Sequence, residues 1–158
     1  MIRTTIPLLA ALSLAAPAFA ESHGGDAEAG ADAFSQCQTC HVVVDGDGNT
    51  LAGKKAKTGP NLYGVVGSQA GTVEGFRYGK SLVAAGEAGL VWDEEQLAVY
   101  LQDPKEFLRT YLDDKKARSK MSFKVRKEED AANLAAFLAT FSPDMEEGMA
   151  GDDAAATN

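Results

Sequence analysis

Two cysteines and two histidines are all that the 158-residue chain contains, and that scarcity narrows its chemistry. With no second cysteine pair and His23 as the only histidine besides His41, a closed zinc site of four ligands is hard to assemble. The strand-helix-strand pattern that would flank a thioredoxin-like redox pair is missing. Beyond the first twenty residues nothing approaches the ~20 consecutive apolar residues that span a bilayer. Basic residues are outnumbered, with Lys+Arg 15 against Asp+Glu 23, which argues against nucleic acid as a partner.

What the cysteines and one histidine do form is Cys37-Gln38-Thr39-Cys40-His41. Cys-x-x-Cys-His is the attachment signature of a c-type haem. Thiols one helical turn apart can add across the two vinyl groups of a haem, and the adjacent imidazole is carried to one face of the iron. A redox thiol pair and half of a zinc site are the alternatives that the spacing alone leaves open.

Residues 1–20 open with Arg3, run through apolar positions 6–16 and close on Ala18-Phe19-Ala20. This is the pattern of a cleaved secretory signal peptide. Residues 21–143 then form one domain, with a core small for its length unless a large apolar cofactor fills the middle.

The spacing predicts a helix over 26–36 that leads into Cys37, a polar turn over 45–48, and irregular Gly-rich loops over 58–75. A second helix is expected over 93–102, with Asp93 as N-cap and Gln96 three residues on. Asp103-Pro104 ends it and is placed to start a short helix with Pro at its first position. The third main helix is expected over 128–141, acidic in its first turn, with Leu134, Phe137, Leu138 and Phe141 on one face. Residues 144–158 are acidic, Gly- and Ala-rich and without apolar periodicity, and read as a disordered tail. The fold class is all-α: three main helices and loops wrapped around one covalently bound haem.

A haem iron in an electron carrier needs a sixth ligand that stays bound in both oxidation states, and a thioether does so while raising the potential. Outside the leader the methionines are Met121, Met145 and Met149. The last two fall in the acidic tail, and His23 falls in a Gly-rich amino terminus. Met121, in the loop between the second and third main helices, is the candidate; its ordinary alternative is a gap-filler in the core.

Several separated segments together resemble the class I c-type cytochromes, particularly the long bacterial cytochromes c2. They are Cys-x-x-Cys-His, Gly59-Pro60-Asn61-Leu62, Gly75-Phe76-x-Tyr78, Trp92, Tyr100-Leu101-x-Asp103-Pro104-Lys105, Lys120-Met121-x-Phe123 and the terminal helix. The resemblance implies that Pro60 offers its carbonyl to Nδ1 of His41. It implies that Tyr78 and Trp92 hydrogen-bond the haem propionates, and that the Tyr100 hydroxyl lies near the Met121 sulfur. Ser119 stands where the family usually has Thr. Relative to the short mitochondrial cytochromes, extra residues fall within 109–119.

Seven basic residues, Lys115, Lys116, Arg118, Lys120, Lys124, Arg126 and Lys127, surround Met121 with no Asp or Glu between the first and last. Such a cluster would steer the chain onto acidic partner surfaces. The family implies a monomeric periplasmic one-electron carrier, not an enzyme. Its donor would be a quinol-oxidising bc-type complex and its acceptor a terminal oxidase, a photosynthetic reaction centre or a periplasmic reductase. A ligand-binding haem enzyme such as a peroxidase is the competing class; it needs a vacant sixth position and a distal base, for which no further histidine is at hand. A domain donating electrons within a fixed complex is a third reading.

Overall fold

The structure, a computed structural model, describes residues 24–142. The expected leader and tail, with His23, Pro143, Met145 and Met149, lie outside the described residues. The chain builds α1 (Ala27–Ala33), a 3-10 turn (Phe34–Gln36), β1 (Val42–Val44), β2 (Thr50–Gly53), α2 (Lys80–Glu87), α3 (Glu94–Gln102), α4 (Pro104–Tyr111) and α5 (Glu128–Ala139). Among the described residues no helix is long and apolar enough to cross a membrane.

Helix α1 starts where Asp26 accepts hydrogen bonds from the backbone N–H groups of Glu28 and Ala29, satisfying two of its unpaired amino-terminal donors. It packs across α5, and the crossing is close because position 30 is glycine. A Cβ there would fall 1.9 Å from the Asn133 carbonyl oxygen. Asn133, buried in α5, accepts the Asp26 backbone N–H at 2.7 Å. Phe34 and Phe137 stack at a tilt with centroids 5.3 Å apart, and Phe34, Leu134 and Leu138 are buried. Each such side chain stabilises the fold by about 1.5–3 kcal/mol.

Helix α3 is capped by Asp93, whose carboxylate accepts from Gln96, and Pro104 opens α4 under the Asp103 cap. The last expected helix ends two residues early: α5 stops at Ala139, and 140–141 form a turn. Leu97, Leu101, Leu108 and Val125 fill the space between α3, α4 and the segment leading to α5.

Two features depart from the expected elements. A two-stranded antiparallel hairpin pairs Val42 with Gly53 and Val43 with Ala52. The polar turn expected over 45–48 is its tip, where Asp45 accepts from the backbone of Asp47 and Asn49. Helix α2 was not expected either. Its N-cap is Gly79, which offers no side-chain bond, and Gly86 lies inside it because a Cβ would fall 2.0 Å from the Ala70 carbonyl oxygen.

Candidate functional site

The site begins where α1 tightens. The 3-10 turn delivers Cys37 with a right-handed helical backbone, and its carbonyl accepts from both Cys40 N at 3.0 Å and His41 N at 2.8 Å. One turn therefore carries both thiols and the imidazole. Burial first, and then the neighbouring Cys40, push the Cys37 thiol up to about 11. A redox-active pair needs a thiol lowered toward neutrality, so the environment of Cys37 is the opposite of a thioredoxin-type nucleophile. No group of three or more His, Cys, Asp or Glu converges among the described residues, whereas a closed zinc site needs four ligands.

His41 is half-buried, and its Nδ1 lies 3.0 Å from the Pro60 carbonyl oxygen. A carbonyl can only accept, so Nδ1 carries the hydrogen and Nε2 keeps its lone pair. Burial lowers the pKa of His41, partly opposed by the Pro60 hydrogen bond. A neutral imidazole fixed in this tautomer by a carbonyl is the form that ligates a metal.

Across the chain, Met121 is half-buried and packs on the core. Its backbone N–H donates to the Ser119 hydroxyl at 3.1 Å, and that hydroxyl lies 3.4 Å from the Tyr100 hydroxyl. The structure thus brings Tyr100, Ser119 and Met121 together, with Ser119 as the link. Burial raises the pKa of Tyr100, against the Ser119 hydrogen bond that lowers it. Trp92 is buried against the rings of Tyr100 and Phe107, at centroid distances of 5.0 Å and 5.7 Å. Tyr78, edge-on to Phe76, is raised in pKa first by burial, with a backbone hydrogen bond at Val73 lowering it and the nearby Tyr100 raising it further.

The donor set fits a c-type haem: two thiols on one turn, a neutral imidazole beside them with Nε2 free, and a methionine held by its own backbone. Tyr78, Trp92 and Tyr100 supply polar atoms on otherwise apolar rings, a chemistry suited to a macrocycle that carries carboxylates.

All seven basic residues of 115–127 are exposed, but they are not equivalent. The ammonium of Lys124 is bound 2.5 Å from the Asp103 carboxylate, and that of Lys120 donates to the Arg77 carbonyl oxygen at 2.5 Å. Phe123 projects among them, 43% exposed. Residues 109–119 fold back on the body: Ala117 is buried, the Arg109 side chain reaches its carbonyl oxygen, and Arg118 N donates to the Ser81 hydroxyl.

Three residues that the sequence names only as members of motifs make contacts that those motifs do not specify. Gly59 backs the imidazole, Asn61 clamps the neighbouring loop, and Asp103 partners Lys124 across 21 positions. The first two flank Pro60 directly, so their position is the available signal; Asp103 gives none beyond its place in the Asp103-Pro104 pair that ends the second helix.

No protein-family model matches the chain. It is 54% identical over 134 residues to cytochrome c2 of Cereibacter sphaeroides, covering 84% of this chain and 92% of that protein. To cytochrome c-551 of Roseobacter denitrificans it is 53% identical over 142 residues, covering 90% of this chain and 97% of the relative. Among solved structures, cytochrome c2 from Rhodobacter sphaeroides superposes with a TM-score of 0.73 at 57% identity, over 75% of this chain and 97% of that one.

Proposed function

The chain belongs to the class I cytochrome c2 family, electron-transfer proteins with one covalently attached haem c, and on that premise we propose that it is a periplasmic one-electron shuttle ligated by His41 and Met121. The hydrogen bond from His41 Nδ1 to the Pro60 carbonyl carries this reading. It leaves Nε2 as the only open donor on a neutral ring, in the tautomer and orientation that an iron ligand requires.

When bound, the haem supplies a ferric/ferrous couple. Cys37 and Cys40 would hold it through thioether bonds, so it would stay with the chain between partners. His41 would ligate its iron through Nε2, with the ring held at Nδ1 by the Pro60 carbonyl and backed on its face by Gly59. Met121 would supply the second ligand, and the bond from its backbone N–H to the Ser119 hydroxyl restrains the loop that carries it. Tyr78 and Trp92 would hydrogen-bond its propionates, compensating carboxylates otherwise buried without partners. With both ligands drawn from the protein, the iron would be closed to small molecules and would serve electron transfer.

The exposed basic residues around Met121 form the docking surface for membrane redox complexes with acidic faces. A bc-type complex is the donor, and an oxidase, reaction centre or reductase the acceptor. The leader at residues 1–20 directs export before haem attachment. Absorption spectroscopy tests the ligation: the ferric protein should be low-spin, with the weak far-red band of an iron–thioether bond that Met121→Leu abolishes. A high-spin wild type that binds cyanide rapidly would overturn the shuttle.

A further inference from the structure

The Gly59-Pro60-Asn61-Leu62 segment runs beside the chain that leaves His41, in a parallel pairing centred on Val42 and Asn61. Two backbone rungs join them: Gly59 N to Cys40 O at 2.7 Å, and Leu62 N to Val42 O at 2.9 Å. Proline has no N–H to add to such a ladder, and the Pro60 carbonyl is already engaged by His41. The next rung comes from a side chain. Asn61 Oδ1 accepts from Val44 N at 2.9 Å, and Asn61 Nδ2 donates to Val44 O at 2.7 Å. The amide therefore pairs with both backbone groups of one residue, as a neighbouring strand would.

We infer that Asn61 is a positioning residue for the iron ligand: its amide locks the strand that follows His41 to the loop that carries the Pro60 carbonyl. The inference rests on His41 being that ligand. An ordinary turn role for Asn61 would need only Oδ1, which also accepts from Tyr63 N at 3.2 Å. The donor bond to Val44, 17 positions away, is surplus to such a turn and joins the two segments that must stay in register. The amide sets a separate acceptor and a separate donor atom against the two Val44 groups; a serine hydroxyl has a single atom for both, a carboxylate would set an oxygen against the Val44 carbonyl, and a leucine would leave both half-buried backbone groups unpaired. The chemical consequence runs through the imidazole. Donating Nδ1–H to a carbonyl increases electron donation from Nε2, which favours the ferric state. Loosening the clamp lengthens that bond and shifts the equilibrium toward ferrous.

The test compares holoprotein variants Asn61→Asp and Asn61→Ser with Asn133→Ala, which removes a bond of similar length between α1 and α5 remote from the ring. Redox titration should show the Asn61 variants favouring ferrous by about threefold, ~30 mV for a one-electron couple, and NMR should show faster exchange of the His41 Nδ1 proton. Asn133→Ala should lose stability without either change. Hydrogen exchange on the unaltered protein adds a readout that needs no variant to fold: the His41 Nδ1 proton, the Asn61 side-chain amide and the Val44 N–H should open as one unit with one denaturant dependence. Independent opening, or potentials in the Asn61 variants equal to that of Asn133→Ala, overturns the positioning role. If the wild-type ferrous protein lacks the strongly ring-current-shifted His41 ring protons of a haem ligand, the ligation itself fails, and that outcome is distinct from the others.

Discussion

Gly59 lies flat against the imidazole of His41. A Cβ at that position would stand 2.4 Å from Cε1, 2.6 Å from Nδ1 and 2.8 Å from Nε2 of the ring, all inside van der Waals contact. The backbone of one residue thus forms the wall behind the ring while the next residue supplies its hydrogen-bond acceptor. Gly59→Ala must displace either the ring or the loop, at a cost of about 1–3 kcal/mol. Expected are a lower yield of holoprotein and partial loss of the low-spin ferric spectrum, both read by absorption. A variant with unchanged spectrum and thermal midpoint would show that the wall yields without moving the ligand.

Ser119→Ala removes the acceptor for the Met121 backbone and the neighbour of the Tyr100 hydroxyl. Losing one such bond costs about 0.5–1.5 kcal/mol, measurable as a lower denaturation midpoint. The Ser119 hydrogen bond lowers the Tyr100 pKa, so spectrophotometric titration should find Tyr100 ionising at still higher pH in the variant. Ser119→Thr restores a hydroxyl and should return both properties toward the wild type.

Asp103 is held below its ordinary value of 3.8, first by the hydrogen bond from Lys124 and then by the backbone of Glu106. A carboxyl with a folded pKa below its unfolded one contributes stability that is fully present above pH 3.8 and lost as pH falls through the folded value. Stability measured below pH 3.8 should therefore fall more steeply in the wild type than in Asp103→Asn. Equal slopes in this acid window would remove the contribution.

If the basic residues around Met121 form the docking surface, replacing Lys115, Lys116 and Arg118 by Gln should slow reduction by an acidic partner several-fold at low ionic strength. Near 1 M salt, where the screening length is about 3 Å, the difference should vanish. Equivalent changes at Lys54, Lys55 and Lys57 are the comparison. Asp103→Asn should act in the opposite sense, because it frees the Lys124 charge. A response indifferent to which trio is neutralised would argue for net charge in place of a local surface.

Much of this architecture is legible in the sequence, and the reasons differ by element. Asp93 announces its helix because an N-cap is a local event, readable from a few adjacent residues, and the Asp103-Pro104 pair marks the start of α4 just as locally. Cys37 to His41 is equally local. Helix α2 escaped because Gly79 caps it without a side chain and Gly86 weakens its interior; Gly86 is there for the close approach of the Ala70 carbonyl. The hairpin escaped because three consecutive valines carry no alternation. The bond between Ser119 and Tyr100 spans 19 positions and that between Lys124 and Asp103 spans 21. Such pairings depend on how the loop leading to Met121 folds back over α3, and no spacing rule encodes that path.

The burial that raises Cys37 to about 11 also bears on its reactivity. The thiolate is the species that attacks another sulfur, and the buried setting of Cys37 holds it in the neutral form. With this turn in place, closure of a disulfide by attack from Cys37 is therefore the disfavoured direction. The hydrophobic setting that suits the finished protein also tempers the reactivity of one of its two thiols.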